Sequence, residues 1–457
     1  MNRQPWFFLI IVVIVVTSVH GCALLAEPTA QPPVWAADTT EAESVGAFCL
    51  SEADIPASLE IRNDDAQWLC GDKSPEPPRE YDVGVVAAGV RECYPGDEPP
   101  VAGNDIWVSV EGDDRHPGDV PTRALRTLGE ALCRAQPGQT IHLLPGIYQE
   151  GVVIGALVND DQAPLTIRGE GSDAGDVVLD GGYWRSFGIG FVETSNVLVE
   201  NLTVQHYTDA GNYALSSEGV HIKDVVAFEN GRCSVDPDAE GEGFGVNLVG
   251  VKRMLVEGSR FEHNGPLLAP MLCGEVLGTG INTFEASGII RNNEIVRTRG
   301  GGMLVEKSVG PVRVEGNLVT RNVFLAVDNY WDAGIWIDES VDVLVRQNQF
   351  IANWGGAGVM VSDEERAYPA ASKQITITDN ALADNFAGVL VWGFGECPPP
   401  GDVITNWSRL TVENAFSRNA FNGQPRPVWC DPDFVGGDVP APRDSQERLC
   451  TPLVFRE

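Results

Sequence analysis

Short apolar runs that alternate with polar residues, bounded by Gly, Asn and Pro, dominate the chain between residues 105 and 422. Runs of that length with a period of two read as β-strands. The first pattern is Ile106-Trp107-Val108-Ser109-Val110, and further strands are expected at 140–144, 152–154, 165–167 and 177–179. Behind Pro121-Thr122, the residues Leu125, Leu128, Leu132 and Ala135 share one helical stripe, which predicts a single helix over 122–135.

From Gly188 onward a repeat governs the pattern. Asparagines five residues apart occur at Asn317/Asn322, Asn348/Asn353, Asn380/Asn385 and Asn414/Asn419. Degenerate copies stand at Asn201/His206, Val225/Asn230, Ser259/Asn264 and Asn293/Thr298. First members recur every 24 to 34 residues, giving eight units. In each unit one strand follows a glycine, as in Gly334-Ile-Trp-Ile, and another precedes the asparagine, as in Val343-Leu-Val345. A unit this small cannot bury an apolar face alone, but units stacked parallel and in register form a continuous core. The expectation is an all-β parallel solenoid. Asparagine at equivalent turns suits it, because the side chain tolerates left-handed angles and stacked copies form an amide ladder. The helix is placed to cap the first coil, whose strand edges would otherwise lie open.

The opening segment Trp107-Val108-Ser109-Val110, then Arg126-Thr127-Leu128, then Pro137-Gly138-Gln139-Thr140 through Pro145-Gly146-Ile147-Tyr148 resembles the N-terminal part of many exported bacterial β-helix proteins. With the repeats, the chain resembles the right-handed parallel β-helix, or pectate-lyase-like, superfamily over residues 105–422. The resemblance implies a right-handed parallel β-helix (a single-stranded solenoid) with an N-terminal capping helix. It does not choose among that scaffold's lyases, hydrolases, epimerases and adhesins.

Composition narrows the rest. A hydrophobic content of 43% excludes a disordered chain. Sixty-five acidic residues against 31 basic ones give a net charge of −34, which excludes direct nucleic-acid binding and disfavours an acidic polysaccharide unless a divalent cation intervenes. Residues Trp6 to Val16 form an apolar run behind Arg3, so 1–21 reads as a signal peptide. Val19-His20-Gly21-Cys22 resembles a lipobox, with lipidation of Cys22, simple secretion and an uncleaved anchor all open. Each places the chain outside the cytoplasm, at the cell surface or extracellular, with membrane attachment only through that N-terminus.

Residues 22–104 read as an acidic, Pro-rich spacer and 423–457 as a C-terminal cap. Nine cysteines follow Cys22, and in an oxidising compartment disulfides are expected, with Cys233 to Cys273 and Cys397 to Cys430 as the proposed pairs. His206, His221 and His263 are assigned to different coil positions, which argues against a shared metal site.

Alternation in the glycine-led strands points two columns outward. One runs Asn247, Asn282, Leu304, Trp336, Met360, Leu390, and the other Val249, Phe284, Glu306, Asp338, Ser362, Trp392. Glu306 and Asp338 are thereby neighbours on a face expected to be exposed. The cost of two adjacent carboxylates falls if they share a proton, bind a cation or divide acid and base roles. Asp332, Asp338, Glu339 and Asp363 are the candidate ligands for Ca²⁺, and Trp331, Trp336, Trp354 and Trp392 the candidate platforms for sugar rings. The resemblance to the superfamily's lyases makes Lys307 the candidate base. The expected function is polysaccharide binding, with cleavage by Ca²⁺-assisted β-elimination or by Glu306/Asp338 hydrolysis as its catalytic forms. A non-catalytic adhesin or envelope module is the alternative, and a monomer is the expected state.

Overall fold

The structure is a computed structural model and describes residues 89–231, 243–265, 278–322, 333–353, 356–363, 372–385, 387–392, 415–417, 419–422 and 428–431. Three parallel sheets run the length of the solenoid, with 11, 11 and 10 strands among the described residues. The first sheet begins at Arg91–Cys93 and ends at Val428–Asp431, the second begins at Asp105–Val108, and the third at Gly146–Tyr148. Every strand pairs with its equivalent one coil away.

Corners explain why the repeat is visible as residue pairs. Between the second and third sheets a positive-φ residue (Asp224, Asn292, Gln347 or Asp379, or glycine at 258 and 316) is followed by a ladder residue. A three-residue strand of the third sheet follows, such as Gln349–Ile351, and then the same two-residue corner recurs. Corner, strand and corner together set the five-residue spacing. Asparagine at the second corner position satisfies backbone groups that a turn leaves open. One ladder runs Asn293, Asn317, Asn348, Asn380, Asn419, each amide donating to the next at 2.9–3.1 Å. Another links Asn322, Asn353 and Asn385 at 3.0 and 2.8 Å. A third corner, between the first and second sheets, carries serines: Ser340 Oγ accepts from Ser308 N at 3.1 Å and Ser372 Oγ from Ser340 N at 3.3 Å.

Two alignments shift. Asn419 stands above Asn380 in the ladder, the place assigned to Asn414, because the strand Ala420–Asn422 pairs with Ala381–Ala383. At the other end Thr203 pairs with Val226, so Leu202 and Tyr207, one residue after Asn201 and His206, occupy the ladder positions.

The helix covers only Leu128–Arg134. Leu125 is held as strand partner instead, its N–H donating to Trp107 O and its carbonyl accepting from Ser109 N, both at 2.8 Å. The helix starts where Thr127 and the Glu150 carboxylate accept its first N–H groups. It packs Leu128 and Leu132 onto the first coil as a cap. A disulfide joins Cys93 to Cys133, tying the first strand to this helix. Strands Arg91–Cys93 and Val428–Asp431 lie in stretches read as spacer and C-terminal cap. Single short strands in Pro- and Asp-rich surroundings carry no repeat signal.

Inside, Val, Ile and Leu from all three sheets form one core. Asn212 interrupts it: the residue is 1% exposed, between Ile189 and Val246, and neither amide atom has a partner among the described residues. On the outer face of the second sheet, one column reads Arg168, Glu200, Lys223, Glu257, Arg291, Glu315, Arg346. Charge alternates at every coil, and ion pairs join Arg168 and Lys223 to Glu200, Arg291 to Glu257, and Arg346 to Glu315.

Candidate functional site

The outer face of the first sheet holds most of the described residues singled out for chemistry. Register puts Glu306 beside Asp338 and Leu304 beside Trp336, with Ser362 and Met360 following in the next coil. Lys307 takes the positive-φ corner position, φ 50°, which turns its side chain outward between Glu306 and Glu339. Its Nζ lies 3.7 Å from Glu306 Oε1, 3.5 Å from Glu339 Oε2 and 5.6 Å from the centre of the Phe284 ring. Two carboxylates at that range favour the ammonium, whereas a catalytic base must be the free amine.

Exposure is the main correction. Asp338 points outward in the pleat yet is 2% exposed, and Trp336, Met360, Leu390, Ser362 and Asp363 are buried as well. Trp336 Nε1 donates to Ser362 Oγ at 2.6 Å, and Ser362 Oγ donates to Asp338 Oδ1. Asp338 therefore anchors a buried hydrogen-bond chain, and the Trp336 ring packs against Met360 and Leu390 in a satellite core. Neither forms the open carboxylate pair or sugar platform expected of it. Trp331, Trp354 and Asp332 lie outside the described residues, as do the side chain of Trp392, Cys22, Cys233, Cys273, Cys397 and the side chain of Cys430.

For a metal the fit is poor among the described residues: Asp338 accepts from Ser362, Glu339 faces Lys307, and no group of three or more His, Cys, Asp or Glu is arranged to ligate an ion.

Toward the N-terminus the same face is partly open. Tyr213, Asn247, Asn282 and Leu304 form one column, and Phe284 and Glu306 the next. Phe187 stacks on Tyr213 with ring centres 4.5 Å apart. Burial, and then Asp209, raise the Tyr213 hydroxyl above its ordinary pKa, so it is a neutral donor at physiological pH. Asn282 Nδ2 donates to Asn247 Oδ1 at 3.0 Å, while Asn282 Oδ1 has no partner among the described residues. An aromatic pair, two amides and an ion-paired carboxylate thus lie in sequence along the solenoid axis. Tyr213 and Phe187 were missed because they precede the repeats in which the glycine-led columns were aligned.

A second titratable cluster also escaped the sequence. Register aligns His206, Glu229 and His263 in one column of positive-φ corner residues between the third and first sheets. The one-residue shift at Asn201/His206 had separated the two histidines. His206 Nδ1 lies 3.2 Å from Asp180 Oδ2 and Nε2 lies 3.5 Å from Glu229 Oε2, and Tyr183 Oη donates to Glu229 Oε2 at 2.6 Å. Burial pulls the imidazole pKa down, but the two carboxylates reverse that and raise it to about 9. Burial also raises Asp180, and hydrogen bonds from His206 and Gln205 outweigh it, giving about 2. Arg299, buried nearby, is lowered to about 9 by desolvation against the pull of Glu229 and Tyr183. Opposite charges balance within this cluster, which braces the corner.

Residues 183–330 match the family model described as right handed beta helix region. No curated protein sequence matches the chain. Among solved structures, the chain is similar to pectate lyase Pel9A, with 14% identity over 72% of this chain and 81% of that one at a TM-score of 0.48. It is also similar to the GH136 lacto-N-biosidase from Eubacterium ramulus, with 13% identity, 69% and 67% coverage and a TM-score of 0.44. For a rhamnogalacturonan lyase the values are 10%, 71%, 89% and 0.38.

Proposed function

The chain is a right-handed parallel β-helix, and from that premise we propose that it binds an extended polysaccharide along the outer face of its first sheet. The stacked Phe187/Tyr213 pair on the half-buried part of that face carries this reading. This pair supplies a flat apolar surface for a pyranose ring, and Tyr213 a hydroxyl donor. Several weak contacts in line suit a polymer better than a compact ligand.

Binding without turnover is the form favoured by Asp338, which is buried and engaged by Ser362, and by Lys307, which is paired with two carboxylates. The β-eliminating and hydrolytic forms remain the rivals to be tested. Secretion to the cell surface, with or without a lipid on Cys22, belongs to the same proposal. The Cys93–Cys133 bond supports it, since such bonds persist in oxidising compartments.

The test is calorimetric titration of a panel of pectic, alginate and neutral glycans, with and without Ca²⁺, alongside assays for new reducing ends and unsaturated products. Wild-type binding that falls about tenfold in Tyr213→Ala and Phe187→Ala is expected. Absence of binding across the panel would sink the proposal. Product release abolished by Lys307→Ala or Glu306→Gln would replace the non-catalytic form with an enzyme, and affinity that depends on Ca²⁺ would bring the cation into the site.

A further inference from the structure

The alternating column on the second sheet alternates in height as well as in charge. Side chains of the four cations Arg168, Lys223, Arg291 and Arg346 are 40–46% exposed, whereas the carboxylates of Glu200, Glu257 and Glu315 are 10–26% exposed. Cations therefore stand proud and carboxylates lie recessed, each recurring about every 9.6 Å because coils are about 4.8 Å apart. An outward column of Leu198, His221, Leu255, Ile289, Arg313 and Leu344 runs beside it. With four cations to three carboxylates, this face escapes the repulsion that a chain of net charge −34 exerts on its own copies elsewhere.

We propose that this face is a homodimer interface in which two copies pack with their solenoid axes antiparallel, related by a two-fold axis lying between the Glu257 and Arg291 coils. A relief of period two mates with its own reversed copy when the offset is one coil, since each raised cation then meets a recessed carboxylate. In this register Arg291 faces Glu257, Lys223 faces Glu315 and Arg346 faces Glu200, each contact occurring twice as two-fold symmetry requires. The neighbouring column selects this axis over the one between His221 and Leu255: here Leu255 meets Ile289 and Leu198 meets Leu344, with His221 opposite Arg313, whereas the alternative keeps one apolar pair, Leu198 with Ile289, and sets Leu255 against His221. Six coils of four- to six-residue strands give a patch of roughly 29 by 13–20 Å, or roughly 400–600 Å² per copy. That lies at the small end of specific interfaces, and a dissociation constant on the order of micromolar is expected. The inference departs from the expected monomer and is independent of glycan binding on the first sheet.

Sedimentation of the full chain in mild detergent tests it. At low salt the wild type should form a concentration-dependent dimer whose dissociation constant rises about tenfold or more in ~0.5 M NaCl. Leu255→Glu, which touches none of the ion pairs, should raise the constant at least tenfold with an unchanged circular-dichroism spectrum. As a second arm, Leu198→Cys with Leu344→Cys places two thiols five coils apart in one chain, roughly 24 Å, too far to bond within it. Oxidation should yield a dimer whose peptide map links residue 198 of one copy to 344 of the other, absent from the oxidised wild type. A monomer at ~100 µM and low salt, a dimer indifferent to Leu255→Glu, or cross-linked products lacking the 198–344 link would each overturn the proposal.

Discussion

Asn348 gives two hydrogen bonds to one atom of Asn380: its backbone N–H and its Nδ2 both reach Asn380 Oδ1, at 2.9 and 3.1 Å. Asn348 Nδ2 also donates to Val314 O at 2.8 Å, and Asn348 Oδ1 accepts from Asn317. Each rung thus satisfies backbone in the coil on either side. Asn348→Ala removes one rung's side chain and leaves buried groups unpaired above and below it. A loss of about 2–4 kcal/mol is expected in urea unfolding, because the uncompensated groups cost more than the bonds themselves contributed. A change below about 0.5 kcal/mol would mean that the ladder does not stabilise the corner.

Asn212 presents the opposite case. Its amide sits in the core with no partner among the described residues, in a column otherwise occupied by Ile189, Val246 and Ile281. Asn212→Val restores the apolar pattern and should stabilise the fold by about 1–2 kcal/mol, read as a higher melting temperature. A lower one would show that the amide holds an internal water.

His206 makes stability depend on alkaline pH. Its pKa rises from 6.5 to about 9 on folding, so its contribution is complete below 6.5 and is lost as pH climbs through 9. Allowing for partial exposure, the wild type should lose about 2 kcal/mol more between pH 7 and pH 10 than His206→Asn does. Parallel pH curves for the two proteins would remove the ion-paired imidazole from this account.

The Cys93–Cys133 bond closes a loop with a sequence separation of 40 residues. Cys133→Ser is expected to cost about 3–4 kcal/mol at the N-terminal end, chiefly through the freed chain. Hydrogen exchange should show the effect in the first coil, with the ladder around Asn348 unchanged; protection lost uniformly along the solenoid would contradict it.

Much of the architecture was legible because a two-residue corner repeats at fixed spacing. Glycine-led alternation sufficed to place Glu306 beside Asp338 and Leu304 beside Trp336. What alternation cannot reveal is what covers a side chain: Asp338 points outward and is nonetheless enclosed. Asn419 was misplaced because Asn414 offers the same five-residue spacing, and only strand pairing distinguishes them. The histidine column stayed hidden behind a one-residue error at His206, where no asparagine marks the corner. Charge alternation on the second sheet was equally invisible, since its successive members lie 23 to 34 positions apart and become neighbours only through coil-to-coil register.

The covalent link at the beginning of the winding also has a mechanical meaning. A coil at the free end of a stacked spiral is the place where a pull on the terminus would start to unspool it, one rung at a time. With Cys93 bolted to Cys133 in the capping helix, tension from the preceding residues passes around the opening turn and into the stack as a whole. A pull on the residues before Cys93 would thus be shared by the helix as well as by the opening strand.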